Sequence, residues 1–176
     1  MYQLDISACY IAATRMQAPA TPAADFFRSA RGRPTYTRSP MRARASTTDY
    51  RMASRALVDR VCRGLVRVED VCDAHPELLR AARNVGIPAT RACPICALAD
   101  ARAEVPRDET ASLRLVTYVF GASLKRLSGH IVWERKELDE LAASYDSFSA
   151  YVVECCLVCG WNHLVESYLM GRKHAV

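Results

Sequence analysis

The chain has 176 residues, of which 51% are hydrophobic and 24% are charged, and its formal net charge is +5. This length and composition suit a globular protein with a buried core and exclude a collagen-like or wholly disordered chain. No apolar run approaches the ~18 residues that cross a bilayer, and the N-terminus lacks the basic and apolar segments of a secretory signal. We therefore expect a cytoplasmic protein.

The positive charge is concentrated at the start of the chain, where residues 1–50 contain seven arginines and three aspartates. Residues 1–45 are rich in Ala, Pro, Thr, Ser and Arg without a sustained hydrophobic period, which predicts a disordered extension. Such an arm is a candidate for binding nucleic acid through its phosphates. Met41 precedes the first organised segment and is an alternative start of the natural product.

Residues 46–88 are predicted to form a helical segment. The cluster Ser46-Thr47-Thr48 is suited to cap its first helix, and Pro76 suits the first position of its last one, which Gly86 can end. His75 precedes a proline and is therefore expected to be extended. The three predicted helices span residues 50–63, 68–74 and 77–84.

Residues 89–176 alternate between two hydrophobic periods. Residues 113–120 are rich in β-branched and aromatic side chains, which predicts a strand. Leu138, Leu141, Ala142 and Tyr145 follow a helical spacing, which predicts an amphipathic helix over residues 134–145. Further strands are predicted over residues 130–133, 148–155 and 161–170.

Two C-x-x-C sequences carry the strongest chemical signal. The first hook is Cys93-Pro94-Ile95-Cys96 and the second is Cys156-Leu157-Val158-Cys159, which Gly160 follows. Each such turn presents two thiolates to one ion, and two turns complete the tetrahedral shell of a structural zinc. The residues between the hooks exceed the ~15 to 20 of a compact zinc ribbon, and the strand and helix predicted there account for the excess. A redox dithiol, or two unrelated pairs of buried cysteines, are the alternatives.

The neighbouring candidates have separate interpretations. Cys155 shares a strand face with Tyr151 and Val153 and lacks the spacing to Cys159, so we assign Cys156 as the ligand and Cys155 to the core. Trp161, Asn162 and His163 are expected at an exposed tip and are candidates for binding a partner. Cys72 and His75 form a C-x-x-H that could supply ligands to a second site, although a half-buried thiol and a capping histidine explain them more simply.

Several motifs occur in the order found in an uncharacterised actinobacterial family of small proteins. The chain resembles this family over about residues 41–171, with an additional polar insertion at residues 102–109. The resemblance implies a zinc-ribbon protein without an established activity, in which Cys93, Cys96, Cys156 and Cys159 match the metal hooks. The shared motifs span residues 71–83, 93–96, 115–121, 151–154, 159–165 and 167–168.

The expected fold is α+β, with short N-terminal helices followed by a zinc-ribbon-like domain over residues 89–176. This domain is expected to be an antiparallel zinc-ribbon-like sheet that contains an inserted amphipathic helix. Four thiolates leave no open position on zinc, so we expect a non-catalytic protein that docks on a protein or nucleoprotein machine of transcription or translation. A thiol-based redox or zinc-release sensor, in which Cys155 attacks a ligand pair, is the alternative. A metal-dependent hydrolase would need a vacant coordination position and is disfavoured.

Overall fold

The structure of the protein, a computed structural model, describes residues 46–100 and 112–174. An antiparallel sheet of six strands organises them, with β1, β6, β5, β3 and β2 in that order and β4 also paired to β3. This confirms the expected α+β class. The strands are β1 (Ser46–Asp49), β2 (Ile87–Pro88), β3 (Leu113–Phe120), β4 (His130–Val132), β5 (Phe148–Cys156) and β6 (Asn162–Met170).

Strands β3 and β5 form the centre of the sheet and fix where the second hook lies. Their register runs from Leu113 opposite Cys156 to Phe120 opposite Ser149. The pairing of β5 with β6 contains an irregularity at Val152 and Val153. The second hook therefore lies at one end of the sheet, at the turn that joins β5 to β6.

Four helices of the described residues pack around this sheet. The hydrophobic spacing of one and the end residues of another match the predictions. Helix α4 buries Leu138, Leu141 and Ala142 against β3, β5 and β6, as their helical spacing predicts. Helix α2 has Pro76 at its first turn and ends at Gly86, and the ring of His75 accepts a hydrogen bond from the backbone N–H of Glu77 at 3.3 Å. The helices are α1 (Arg51–Cys62), α2 (Pro76–Val85), α3 (Pro94–Asp100) and α4 (Arg135–Ser144).

The two faces of the sheet are covered unequally. At one end, α4 packs on the face that carries Val119, Ala150 and Val152. At the hook end, the same face is covered by α1 and the first hook, whose cluster contains Leu113. Helix α2 covers Val116 and Cys155 on the opposite face. The rest of that opposite face carries Tyr118, Tyr151 and Phe120, and Phe120 is 46% exposed.

The chain after β6 is fastened to the end of the sheet remote from the hooks. The 3₁₀ turn Arg172–His174 follows β6, and the backbone N–H of Arg172 donates to the carbonyl of Tyr145 at 2.9 Å. The Arg172 guanidinium also pairs with the Asp146 carboxylate at 2.5 Å. Met170, the last residue of β6, is opposite Phe148, the first residue of β5.

Two predictions near the start of the described chain are wrong. Residues 46–48 do not cap a helix, because they form the edge strand β1, in which Ser46 is opposite Leu169. β-branched threonines suit such a strand, and its pairing satisfies the outer edge of β6. The predicted helix over residues 68–74 is limited to the 3₁₀ turn Val68–Asp70, because the backbone N–H of Ala74 donates to the carbonyl of Gly160 instead of continuing a helix.

The first hook also differs from the zinc-ribbon expectation. The expected zinc-ribbon-like sheet does not begin at the first hook, because Pro94 begins helix α3 and the backbone N–H of Ala97 donates to the carbonyl of Cys93. Proline at the first turn and the following Ala-Leu-Ala favour a helix. The polar insertion at residues 102–109 lies outside the described residues, as does the predicted disordered extension at residues 1–45. Strands β1 and β2, from residues 46–88, join the same sheet as the later strands.

The N-terminus of α4 gives a prediction about acid stability. The Glu137 carboxylate accepts a hydrogen bond from the backbone N–H of Trp133 at 2.9 Å and contacts Nε2 of His130 at 2.6 Å. Burial opposes its ionisation, but these two partners outweigh burial and lower the pKa of Glu137. A lowered folded-state pKa contributes stability above the unfolded pKa of ~4.3, and this contribution is lost as the pH falls through the folded value.

We therefore expect Glu137→Gln to lower the free energy of unfolding near neutral pH and to approach the wild-type value as the pH falls below the folded-state pKa of Glu137. Urea titrations across this range would measure the difference. Glu140→Gln is the matched control, because Glu140 lies on the same helix and pairs only with exposed Lys136 at 3.8 Å. A Glu137→Gln deficit that persists unchanged in acid would contradict the assignment.

No helix within the described ranges has the length and apolar character needed to span a membrane.

Candidate metal centre

The fold brings the two hooks into one corner of the molecule. The sulfurs of Cys93, Cys96, Cys156 and Cys159 all lie within 4.8 Å of one another. Cys93 Sγ is 3.6 Å from Cys159 Sγ, and Cys96 Sγ is 3.7 Å from Cys156 Sγ. All four are free thiols. A disulfide would need sulfurs about 2.05 Å apart, so these spacings belong to separate thiols.

The sulfur arrangement fits a tetrahedral metal ion. Zinc binds cysteine sulfur at ~2.3 Å, and the sulfurs of such a tetrahedron are therefore about 3.8 Å apart. The two closest pairs approach this separation, and each pair joins one cysteine of the first hook to one of the second. Cys93, Cys96 and Cys156 are buried and Cys159 is half-buried, so an ion among them would be shielded from water.

Local backbone structure holds each pair. The first hook is the start of α3, which keeps Cys93 and Cys96 on one turn. In the second hook, the N–H of Gly160 donates to the carbonyl of Cys156 at 3.1 Å, and the N–H of Cys156 donates to the carbonyl of Trp161 at 2.8 Å. The backbone N–H of Trp161 also donates to Cys159 Sγ at 3.4 Å. The second hook is thus a closed turn with a sulfur already accepting a hydrogen bond.

The thiols influence one another strongly. Contacts with Cys156 and Cys159, together with burial, raise the pKa of Cys93, and burial and the same neighbours raise the pKa of Cys96. Hydrogen bonds from Cys159 and Cys93 lower the pKa of Cys156. Burial and the contacts among these thiols therefore oppose their ionising together. A divalent ion would remove this opposition and release protons as it binds.

A buried carboxylate lies beside the sulfur cluster. Glu154 is only 1% exposed, and its Oε1 accepts a hydrogen bond from the indole N–H of Trp161 at 2.8 Å. Its other oxygen pairs with the guanidinium of Arg91 at 2.5 Å. Arg91 stands two residues before Cys93, and Trp161 stands two residues after Cys159. The polar network therefore joins the flanks of the two hooks.

The structure separates Cys155 from the four clustered thiols. Cys155 is fully buried and packs with Ala81, Ala82 and Val116 beneath α2. Burial, with smaller contributions from Cys156 and Cys159, raises the pKa of Cys155 to about 11. Its surroundings are those of a core residue, as its strand position predicts.

The prediction that Trp161 lies at an exposed tip is wrong. Its side chain is fully buried among Val61, Val71 and Leu113, because the indole N–H has an internal acceptor in Glu154. The half-buried His163 ring stacks on Trp161, with the ring centroids 5.8 Å apart. The amide of Asn162 donates to Asp73 at 3.0 Å. Only Asn162 and His163 of the predicted trio therefore retain surface.

Cys72 and His75 do not come together as a ligand pair. His75 caps α2, whereas Cys72 is half-buried beside Cys159. Burial and the neighbouring Cys159 raise the pKa of the Cys72 thiol to about 12. Among residues 46–100 and 112–174, the four-cysteine cluster is the one group of three or more such side chains arranged to hold an ion.

Gly160 permits a close approach between the second hook and the segment before α2. Its φ is +80°, and a Cβ added there would lie 2.9 Å from the carbonyl oxygen of Cys72. We expect Gly160→Ala to lower the free energy of unfolding by about 1–3 kcal/mol, through an unfavourable backbone conformation and this collision. Chemical denaturation would measure the change.

Gly129→Ala is the control for that substitution. Gly129 has a similar φ of +90°, but the nearest atom to its added Cβ is 3.6 Å away. The difference between the two variants therefore isolates the contact with Cys72. Equal losses would show that the contact contributes nothing.

The sequence reasoning missed Glu154, Arg91 and Ser112. Ser112 Oγ lies 3.7 Å from Cys156 Sγ, and its carbonyl accepts from the backbone N–H of Leu157. Only Glu154 carried a visible signal, because it is a charged residue inside an otherwise apolar strand. Pairing a charge with its partner requires the register of the sheet, which the sequence alone does not reveal.

Comparison with known proteins places the chain in a family. Rv0049 of Mycobacterium tuberculosis and Mb0050 of Mycobacterium bovis, both described as uncharacterised proteins, are each 42% identical over 123 residues, which cover 70% of this chain and 80% of the relative. No solved structure matches the chain significantly. The model of DUF5318, described as a family of unknown function, matches residues 41–176. This confirms the resemblance to an uncharacterised actinobacterial family: the chain belongs to DUF5318, and the matched region contains both hooks.

Proposed function

We propose that the protein binds one structural zinc ion and acts as a non-catalytic adaptor in the cytoplasm, where it docks on a protein or nucleoprotein machine. The convergence of Cys93, Cys96, Cys156 and Cys159 within 4.8 Å carries the proposal. When bound, the ion would supply a cross-link between α3 and the β5–β6 turn.

The ligand set favours a structural role over catalysis. Four thiolates fill the tetrahedral shell of zinc, whereas catalytic zinc sites keep a position for water or substrate. The buried cluster around the sulfurs includes Trp161, Leu113 and Ile95, none of which is a general base. Glu154 is the nearby carboxylate, and both of its oxygens are already engaged.

An exposed aromatic surface supports the docking role. Tyr118 and Phe120 stack with ring centroids 6.5 Å apart, and Phe120 meets Tyr151 edge-on at 5.8 Å. Phe120 is exposed, whereas Tyr118 and Tyr151 are half-buried and Tyr118 packs against the cluster beneath α2. Exposed aromatic clusters often mark interaction sites on soluble proteins. The arginine-rich arm proposed to bind nucleic acid lies outside the described residues.

Elemental analysis of protein purified without chelators tests the metal. We expect one zinc per chain, and replacement by cobalt should produce the absorption bands of tetrahedral thiolate coordination. Since a four-sulfur site also accommodates iron, the same analysis would reveal an iron protein. A chain that neither retains nor rebinds a stoichiometric metal would refute the structural-zinc proposal.

The docking surface is tested separately by cross-linking in native cell extract. Phe120→Ser should weaken capture of the same partner that the wild-type chain recovers, while its zinc content stays at one per chain. Val68→Ser is a suitable control, because Val68 is likewise exposed but lies on the 3₁₀ turn before α2. Identical capture by both variants would remove the aromatic surface from the proposal.

One observation favours a redox or zinc-release sensor as a second candidate. Cys72 is a fifth thiol beside Cys159, so it is better located for exchange with a ligand than Cys155, which packs under α2. The raised pKa of Cys72 opposes this role, because the thiolate is the reactive form. Peroxide titration with a chromophoric chelator decides between the candidates, since a sensor releases zinc at low oxidant and Cys72→Ala should abolish that release.

A further inference from the structure

Glu154 is buried where a charged group is energetically unfavourable without partners. It lies in β5, two residues before Cys156, where its neighbours across the sheet are Leu115 and His163. A buried carboxylate is strongly unfavourable unless charged or hydrogen-bonding partners replace the water that it loses. The partners of Glu154 therefore determine whether this part of the sheet is stable.

Both partners come from the chain next to a hook. Arg91 precedes the first hook and reaches Glu154 with a side chain that remains 37% exposed. Trp161 follows the second hook and donates its indole N–H from a fully buried position. If either hook moved away from the corner, the carboxylate would remain buried with one partner missing. The cost of that state opposes separation of the hooks.

The indole also links this network to the sulfurs through packing. Trp161 lies in one buried cluster with Cys93, Cys96 and Cys156. Its own backbone N–H donates to Cys159 Sγ. Fixing the indole through Glu154 therefore restricts the second hook directly and the first hook through contact.

We propose that Glu154 is the positioning residue of the metal site, holding Arg91 and Trp161 so that the four thiols remain converged before an ion binds. The inference rests on the proposed zinc-binding function. It adds a reason why the four sulfurs lie close together. Zinc would then enter a preformed corner instead of folding that corner around itself.

Two measurements test this role. Hydrogen exchange on metal-free, reduced protein reports the order of the hooks through the amides of Ala97, Cys156 and Gly160, which donate to the carbonyls of Cys93, Trp161 and Cys156. Competition with a chromophoric chelator reports zinc affinity. Glu154→Gln keeps an acceptor for the Trp161 indole but removes the charge that pairs with Arg91. Arg91→Met removes the same pairing from a partly exposed position, so it remains informative should Glu154→Gln fail to fold.

Glu77→Gln is the matched control, because Glu77 pairs with Arg80 on the exposed surface of α2. We expect slow exchange at both hooks in metal-free wild type and in this control. In Glu154→Gln and Arg91→Met, exchange at the hooks should accelerate while β3 and β5 beneath α4 stay protected. Zinc affinity should fall by about 10- to 100-fold, as for other residues that orient metal ligands.

Fast exchange at the hooks of metal-free wild type would overturn the proposal. So would wild-type zinc affinity in either Glu154→Gln or Arg91→Met. If the wild-type chain bound no zinc, the proposed function would fail, while the exchange comparison on metal-free protein would still decide whether Glu154 holds the hooks together.

Discussion

Replacing Cys96 with Ser is expected to abolish stoichiometric zinc binding and to lower the temperature at which the hook end of the molecule unfolds. The substitution leaves three thiols and a hydroxyl, which is a much poorer ligand for zinc than a thiolate. Zinc binding to structural sites releases on the order of 10 kcal/mol, which is comparable with the entire net stability of ~5–15 kcal/mol of a domain. Elemental analysis and thermal unfolding at equal metal concentration would measure both consequences.

The expected loss of stability is local. Cys96 belongs to the cluster of Val61, Leu113 and Trp161, whereas the residues beneath α4 form a separate cluster at the other end of the sheet. We therefore expect the Cys96→Ser protein to retain far-ultraviolet circular dichroism but to unfold at a much lower temperature. Complete unfolding at room temperature would show that the α4 cluster cannot stand without the metal corner.

Cys155→Ala is the control for Cys96→Ser. It removes a neighbouring buried sulfur that packs with Ala81 and Val116 and lies outside the four-sulfur group. A loss near 1 kcal/mol, typical of a modest core change, is expected, with full zinc content. Loss of zinc from Cys155→Ala, or its retention in Cys96→Ser, would overturn the choice of ligands.

Trp161→Ala is expected to cost about 3–5 kcal/mol in the free energy of unfolding, because it empties a large buried site. It also removes the N–H that Glu154 accepts, so the buried carboxylate would keep only Arg91. Urea denaturation of the zinc-loaded proteins would give the difference. The result separates a core tryptophan from one that faces a partner.

His163→Ala is the appropriate comparison for that experiment. The His163 ring stacks on Trp161 and is only half-buried. We therefore expect the free energy of unfolding to fall by no more than about 1 kcal/mol. A small effect for Trp161→Ala, comparable with that of His163→Ala, would mean that the indole contributes little to the core.

Local patterns were sufficient for much of this fold. The apolar stripe of α4 and the β-branched run of β3 each have a period that one type of element satisfies. The hooks were equally visible, because C-x-x-C spacing is itself a consequence of binding two sulfurs to one ion. The short partner of β3 was also recovered, as β4 begins at His130.

Features that depend on distant pairing were not visible. Residues 46–48 resemble helix caps until the free edge of β6 is available to pair with them. Trp161 is expected at the surface when only its neighbours Gly160 and Asn162 are considered. Its burial follows from packing against Val61 and Val71, which are distant in the sequence, while Glu154 accepts its indole N–H around the β5–β6 turn. The resemblance to a zinc ribbon implies a sheet at the first hook, although the residues after Pro94 favour a helix.

The fastening of Arg172 to Tyr145 and Asp146 has a practical consequence for handling the protein. Phe148 begins β5 at the opposite end from Cys156, and Met170 of β6 is paired with it. Because a strand advances ~3.3 Å per residue, the chain leaves the sheet roughly 25 Å from the sulfurs. An affinity handle or surface linker joined after β6 would therefore immobilise the molecule with its thiol corner facing the bulk solution. Chelators and oxidants could reach that corner without obstruction by the support.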